Sequence, residues 1–275
     1  MDSRDIDDAA LLARMEEAAQ AAAKLQLGEF RRRGPGWGEA KAESDFVSFV
    51  DVESEKTIRT ILNECRPGAA FFGEETEQSL GTEETWVVDP LDGTTNYLSG
   101  FDHFSVSIAL WDQLGPRLGM VLKPSTGELF SARRGHGAKR NGELLGTATA
   151  LQLTGALIAT GTPYRSPDTA DSFFATMRGL LGRCRDIRRT GSAALDLCYL
   201  AAGFFQGFWE VDLQPYDVAA GLLMLSETGH PYGTFSGSAY DPFKHRGFVA
   251  GRPGTYEALQ GMVGRTYASM GEAIR

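Results

Sequence analysis

Trp86-Val87-Val88-Asp89-Pro90-Leu91-Asp92-Gly93-Thr94-Thr95-Asn96 is the stretch on which the reading of this chain turns. A short apolar run reads as a buried strand, and it stops at a carboxylate. Pro90 fixes the backbone, Asp92 adds a second carboxylate, and Gly93 with two threonines opens what reads as a helix N-terminus. Alone, Asp-Pro-x-Asp-Gly describes a capped turn. Its company changes that reading. Phe71-Phe72-Gly73-Glu74-Glu75 also ends an apolar run in acids, and Asp217 stands in Pro215-Tyr216-Asp217-Val218-Ala219-Ala220-Gly221 at the start of a helical pattern. Three strand or helix ends thus carry acids that one sheet edge of a layered fold can gather.

Acids gathered in this way demand a cation, because two carboxylates ~4 Å apart repel by roughly 4 kcal/mol at an effective dielectric of ~20. Hard oxygen ligands select magnesium, manganese or calcium. Zinc has no comparable home, since His103, His136, His230 and His245 are isolated from one another in the sequence. Two-metal phosphoryl chemistry is the leading idea. Gly93, Thr94 and Thr95 supply its complement, because free N–H groups at a helix start favour phosphate. A Thr94 hydroxyl oriented by a carboxylate would hold a water for attack, with no covalent intermediate.

Outward from this core the chain divides into two patterns. The periodicity of Leu11, Leu12, Met15, Ala18, Ala19, Ala22 and Leu25 predicts a long amphipathic helix from Asp5 to about Arg33, with Asp7 and Asp8 at its positive end. Gly34-Pro35-Gly36-Trp37-Gly38 breaks it, and a second helix runs from Asp51 to Pro67-Gly68. Strands are expected over 69–72, 85–88, 104–111, 118–122 and 128–132. Later the elements alternate, with strands at 156–160, 186–189, 207–211 and 247–250 and helices at 168–181, 192–202, 215–228 and from Thr255 onward. The expectation is an α+β first half and an α/β second half, with no flexible linker between them.

Composition narrows the classes. Hydrophobic residues make up 42% and charged residues 23%, which excludes disorder, and a net charge of −9 disfavours nucleic acid and anionic membranes as partners. Glycine is abundant at 33 of 275 residues, so tight turns and close backbone approaches should be common. Cys65, Cys184 and Cys198 show no paired spacing, and the acidic N-terminus is unlike a signal peptide, so a cytoplasmic location is expected. Arg31-Arg32-Arg33 reads as a solvated helix end, and residues 133–142 read as a surface hairpin. Phe204, Phe205, Phe208 and Trp209 read as core. Gly34-x-Gly36-x-Gly38 follows no strand and is a poor dinucleotide signal.

Gly73-Glu74-Glu75, the run from Asp89 to Asn96 and the run from Tyr216 to Gly221 together resemble the inositol monophosphatase family, magnesium-dependent and lithium-sensitive sugar-phosphate phosphatases. The likeness covers nearly the whole chain, and Ile187-Arg188-Arg189-Thr190-Gly191-Ser192-Ala193-Ala194-Leu195-Asp196 looks like the bacterial branch. The resemblance implies a layered αβαβα sandwich and assigns roles. Glu74, Asp89 and the Leu91 carbonyl would hold one ion, Asp89, Asp92 and Asp217 a second, with Glu74 facing a third. Two or three magnesium ions are expected, manganese being an alternative. Asp51 matches the acid that pairs with Thr94. Gly93, Thr94 and Thr95 would bind phosphate, while Arg188, Ser192, Ala193, Glu210 and Asp217 would line the substrate pocket. The first lobe, 1–145, would carry the metal and water motifs, and the second, 146–275, would complete the site. The implied substrate is myo-inositol 1-phosphate. Fructose 1,6-bisphosphate, histidinol phosphate and a nucleotide 3′-phosphate are enzymatic alternatives, and a metal-bound interaction protein is a non-enzymatic one. A homodimer is also implied. The family usually has Trp at Tyr216 and Thr at Ser48, and its lysine upstream of Asp51 has no clean counterpart near Ala40 and Lys41.

Overall fold

A computed structural model describes residues 3–31, 39–42, 45–47, 49–76, 78–272 and 274. The glycine-rich break at 34–38, Arg32, Arg33 and Ser48 lie outside the described residues. The elements run α1 (Ser3–Glu29), β1 (Glu39–Ala42), β2 (Asp45–Val47), α2 (Phe49–Cys65), β3 (Ala70–Gly73), β4 (Glu84–Asp92), α3 (Thr94–Leu98), β5 (Ser105–Asp112), β6 (Gly115–Lys123), β7 (Glu128–Arg133), β8 (Ala138–Arg140) and β9 (Glu143–Leu144). The second half adds β10 (Leu157–Thr160), α4 (Ala170–Leu180), β11 (Asp186–Arg188), α5 (Ala193–Ala201), β12 (Gly207–Glu210), α6 (Pro215–Glu227), β13 (Tyr232–Gly233), β14 (Phe248–Gly251) and α7 (Thr255–Thr266).

β3 to β9 form one sheet in sequence order, and a second sheet has the order β11-β10-β12-β14-β13. Alternation along the strands explains why five layers result. Trp86, Val88, Ile108, Leu110, Leu118 and Met120 point to α1 and α2, whereas Val87, Ala109 and Val121 point the other way, into a core shared with α5 and α6. In the second sheet Ala159, Phe208 and Ala250 face that same central helix layer, and Ile158, Trp209 and Val249 face α4 and α7. The order is therefore helix, sheet, helix, sheet, helix, as expected, with α6 packed against the first sheet although it belongs to the second half of the chain. Strands buried on both faces lose the apolar–polar alternation of a half-exposed strand and read as continuous apolar runs.

Some local expectations change. α1 ends at Glu29 rather than near Arg33, and Arg31 follows in a left-handed conformation at φ 62°. Its guanidinium Nε donates to the Gly100 carbonyl at 3.0 Å, so this exposed arginine docks the helix end as well as facing solvent. Asp7 and Asp8 do more than favour the helix dipole. Asp8 pairs with Arg117 at 2.5 Å and with Arg133 at 3.0 Å, and Arg117 also binds Glu84 at 2.6 Å, which joins α1 to the sheet through buried charges. Phe204 is not core. It is 47% exposed, because Gly203 at φ 81° ends the α5 turn and swings it outward beneath the Arg140 guanidinium. β7 and β8 pair as the hairpin expected over 133–142, whereas the short strands β1, β2, β9 and β13 have no counterpart in the sequence reading, being too brief for periodicity to register. Among the described residues no helix is long and apolar enough to cross a membrane.

Candidate active site

The bend at the end of β4 positions the first pair of acids. In a regular strand, residues three apart face opposite sides of the sheet. Here Asp89 pairs with Ser107 and Asp92 with Ser105, so one extra residue bulges out at Pro90-Leu91 and both aspartates reach the face covered by α5 and α6. Pro90, lacking an N–H, suits a bulge. The Leu91 N–H folds back on Asp89 Oδ1 at 3.0 Å, and Gln26 on α1 donates to the Pro90 carbonyl at 2.7 Å. Gly93 turns the chain at φ 95°, after which α3 begins.

Other elements bring their acids to the same cavity. Glu74 follows β3. The carboxylate of buried Glu55, one turn beyond Asp51 on α2, lies against Gly73 so closely that a Cβ there would meet its Oε2 at 2.3 Å. That same oxygen accepts the Glu75 N–H at 2.9 Å and anchors the strand end. Asp217 occupies the third position of α6, where its Oδ2 caps the helix by accepting the Gln214 N–H at 2.7 Å while the residue lines the cavity. Cap and site are therefore one residue. Asp92 Oδ2 accepts from Ser192 Oγ at 2.6 Å and from the Ala194 N–H at 2.8 Å, so this oxygen closes the N-terminus of α5. Thr94 Oγ1 lies 3.2 Å from Asp51 Oδ1 and 3.0 Å from the Leu91 carbonyl, with Asp51 buried.

The second half of the chain makes the opposite wall. Glu210 ends β12, half-buried, with its carboxylate against the backbone of Gly161, where a Cβ would sit 1.7 Å from its Oε1. Only glycine leaves room for that carboxylate. Asp196 on α5 lines the same wall and accepts the Thr190 hydroxyl at 2.6 Å. Ala193 and Ser192 are on the wall, although the Ser192 hydroxyl is directed at Asp92. Arg188 is a correction: it points away and pairs with Asp186, and Arg189 lines the cavity instead, its Nε 3.3 Å from Thr162 Oγ1. Consecutive residues leaving a strand point to opposite sides, so a one-residue difference decides which arginine faces the site. Arg165, Arg189, Asp196, Glu55 and Gln26 were not singled out as functional. Gln26 had a signal, as a polar residue four after Ala22 on the apolar stripe of α1. The others are assembled by tertiary contacts.

Burial and mutual repulsion govern the electrostatics. Burial first, then Asp217 and Glu75, holds the Glu74 carboxyl well above the usual range. Burial with Glu74 and Asp92 does the same to Asp89. Asp217 is raised to about 7 by burial and by Asp92, and Asp92 is raised by burial against the lowering effect of its donors from Ser192 and the α5 backbone. Among the described residues no three His, Cys, Asp or Glu side chains stand at the mutual spacing of a closed metal cage. The donor set nevertheless fits a hard divalent ion: buried and half-buried carboxylates, all-oxygen, lining one cavity and favoured as anions by positive charge.

Comparison with known proteins finds relatives along nearly the whole chain. The profile of the inositol monophosphatase family matches residues 7–268. Inositol-1-monophosphatase of Rhizobium meliloti (strain 1021) is 40% identical over 232 residues, covering 83% of this chain and 86% of that protein. Nus factor SuhB of Escherichia coli (strain K12) is 39% identical, covering 80% and 82% respectively. The crystal structure of extragenic suppressor protein suhB from Bartonella henselae superposes with a TM-score of 0.86 at 36% identity, covering 92% of this chain and 98% of that one.

Proposed function

This chain belongs to the inositol monophosphatase family, and on that premise we propose that it is a magnesium-dependent phosphomonoesterase releasing phosphate from myo-inositol 1-phosphate or a closely related polyol phosphate. The observation that carries this reading is the bulge that turns Asp89 and Asp92 to one face, beside Glu74 and Asp217 and next to the Thr94–Asp51 pair. Glu74, Asp89, Asp92, Asp217 and the Leu91 carbonyl would hold two or three magnesium ions, with manganese an alternative. When bound, those ions would supply charge that binds the ester phosphate and acidifies an attacking water.

The remaining work falls to the chain itself. Thr94 Oγ1 orients the water, and Asp51 Oδ1, 3.2 Å away, receives its proton through that hydroxyl. Gly93, Thr94 and Thr95 present backbone donors to the phosphate. Glu210 and Asp196 face the alcohol side of the cavity, where acceptors suit the many hydroxyl donors of a polyol. Two carboxylates, Asp196 and Glu210, beside one arginine, Arg189, leave net negative charge there and favour a neutral polyol over a second phosphate. A homodimer is part of the reading, checked by sedimentation velocity.

Relatives at 39% identity carry the name Nus factor, which supports a second reading in which the fold also serves as an interaction partner. Magnesium-dependent phosphate release by the wild type and by Asp92→Asn separates the two. The hydrolase reading expects a loss of at least about a hundredfold in the variant, and equal rates would refute it. A rate comparison over inositol 1-phosphate, fructose 1,6-bisphosphate, histidinol phosphate and adenosine 3′,5′-bisphosphate tests the substrate. The assignment fails if inositol 1-phosphate ranks last.

A further inference from the structure

Between β10 and α4 the chain runs Gly161-Thr162-Pro163-Tyr164-Arg165-Ser166 along the cavity. Its first residue is fixed against Glu210, as the close approach at Gly161 requires. Two turns then curl it. The Tyr164 N–H bonds the Thr162 carbonyl at 2.8 Å, the Ser166 N–H bonds the Pro163 carbonyl at 3.3 Å, and Pro163 removes a backbone freedom between them. The segment therefore begins at the alcohol end of the cavity and returns Arg165 to the carboxylate end, where its guanidinium lies 4.0 Å from Glu74 Oε1 across the two halves of the chain. Among the described residues the cationic side chains lining the cavity are Arg165 and Arg189. They serve different ends. Arg189 is held by Thr162 and stands over the Tyr164 ring, beside Asp196 and Glu210. Arg165 stands 4.0 Å from Glu74, and its charge favours the ionised forms of Glu74 and Asp217.

An arginine beside Glu74 competes with any divalent cation for that carboxylate. Once a cation sits there, the attraction of the arginine to Glu74 is cancelled, and an anion in the same cavity becomes its better partner. We propose that Arg165 is a phosphate-binding residue of this enzyme, moving from Glu74 to a non-bridging oxygen of the substrate phosphate and holding the same oxygen in the released product. The proposal rests on the phosphatase reading above. A guanidinium suits the task because its fork of donors matches phosphate oxygens and stays charged at every working pH. The turns within 161–166 give the side chain a fixed root, and its exposed end lies beside Glu74.

The test uses inorganic phosphate and magnesium as separate probes on the full chain, by calorimetry, with Arg165→Met and Arg165→Lys. With magnesium saturating, Arg165→Met should weaken phosphate binding by about tenfold to a hundredfold, and Arg165→Lys should recover part of that loss. Without phosphate, Arg165→Met should bind magnesium about fivefold more tightly, since a positive charge beside Glu74 has gone. These opposite signs cannot come from a damaged fold, which would weaken both. Phosphate affinity within twofold of wild type, or parallel weakening of phosphate and magnesium, overturns the proposal. Its failure is distinguishable from failure of the phosphatase reading. A wild type that hydrolyses no monoester but loses phosphate affinity on Arg165→Met keeps the anion site and removes the reaction. A wild type that hydrolyses inositol 1-phosphate unchanged by Arg165→Met does the reverse.

Discussion

Removing the Asp217 carboxylate should stabilise the metal-free protein, and by an amount that grows with pH. The Asp217 carboxyl is raised from an ordinary 3.8 to about 7 by burial and by Asp92. Between those values the folded state holds a proton that the unfolded state has lost, so stability is greatest at low pH and falls as pH rises through about 7. Taking 1.36 kcal/mol for each unit of difference, the full penalty above pH 7 is about 4 kcal/mol, of which roughly 3 kcal/mol develops between pH 5 and 8. Asp217→Asn cannot ionise, yet its amide oxygen can still accept the Gln214 N–H that caps α6. The thermal midpoint of the variant relative to wild type, in a chelator, should therefore rise by roughly 5–10 °C between pH 5 and 8. The comparison cancels the histidines, which titrate in both proteins. Magnesium should remove the trend in wild type, because a cation favours the ionised carboxylate that burial disfavours, while adding about 3 kcal/mol of its own at a hundredfold excess over its dissociation constant. A variant-minus-wild-type difference that stays flat with pH, or that falls, would refute the argument.

Three further predictions follow from particular contacts. Gly161→Ala should leave the thermal midpoint within a few degrees but raise KM for inositol 1-phosphate at least about tenfold, because the new methyl displaces the Glu210 carboxylate; unchanged steady-state kinetics would exclude the contact. Arg117→Ala should cost about 2–3 kcal/mol in denaturant unfolding, since it removes the buried arginine shared by Asp8 and Glu84 and leaves Asp8 only Arg133 and Glu84 only Arg66, and a loss below about 1 kcal/mol would show that the network carries little. Burial lowers His103 and His230 to about 4, so both fold as neutral rings and their stabilising contribution is lost as pH falls from about 6.5 towards 4. Replacing His230 with Gln should flatten part of that acid limb in a pH series of thermal midpoints, and an unchanged limb would assign the acid sensitivity elsewhere.

What was legible in the sequence was local. The strand ending at Asp89, the turn through Gly93, the start of α6 at Pro215 and the end of β3 at Gly73 each follow from patterns within about ten residues, and together they named the acids of the site. What was not legible depended on partners far along the chain. The Asp-Pro-x-Asp spacing by itself puts its two carboxylates on opposite faces of a strand, and the pairing of β4 with β5, with its extra residue, reverses that. Arg188 and Arg189 are equivalent in the sequence, and only the exit of β11 decides that the second faces the cavity. Arg165 and Glu74 are brought within 4.0 Å from separate halves of the chain.

By itself the sequence determined which residues could do the chemistry and which helices and strands they would join, because burial, helix starts and strand ends are written in short-range periodicity, while the five-layer order came with the family resemblance. The tertiary structure decided how those groups share one cavity: which oxygen of Asp92 is taken by α5 and which arginine faces the acids. Those outcomes turn on one-residue shifts of register and on partners about ninety to a hundred positions away. Periodicity cannot encode such contacts, because a hydrogen bond depends on the distance between its atoms and not on their separation along the chain.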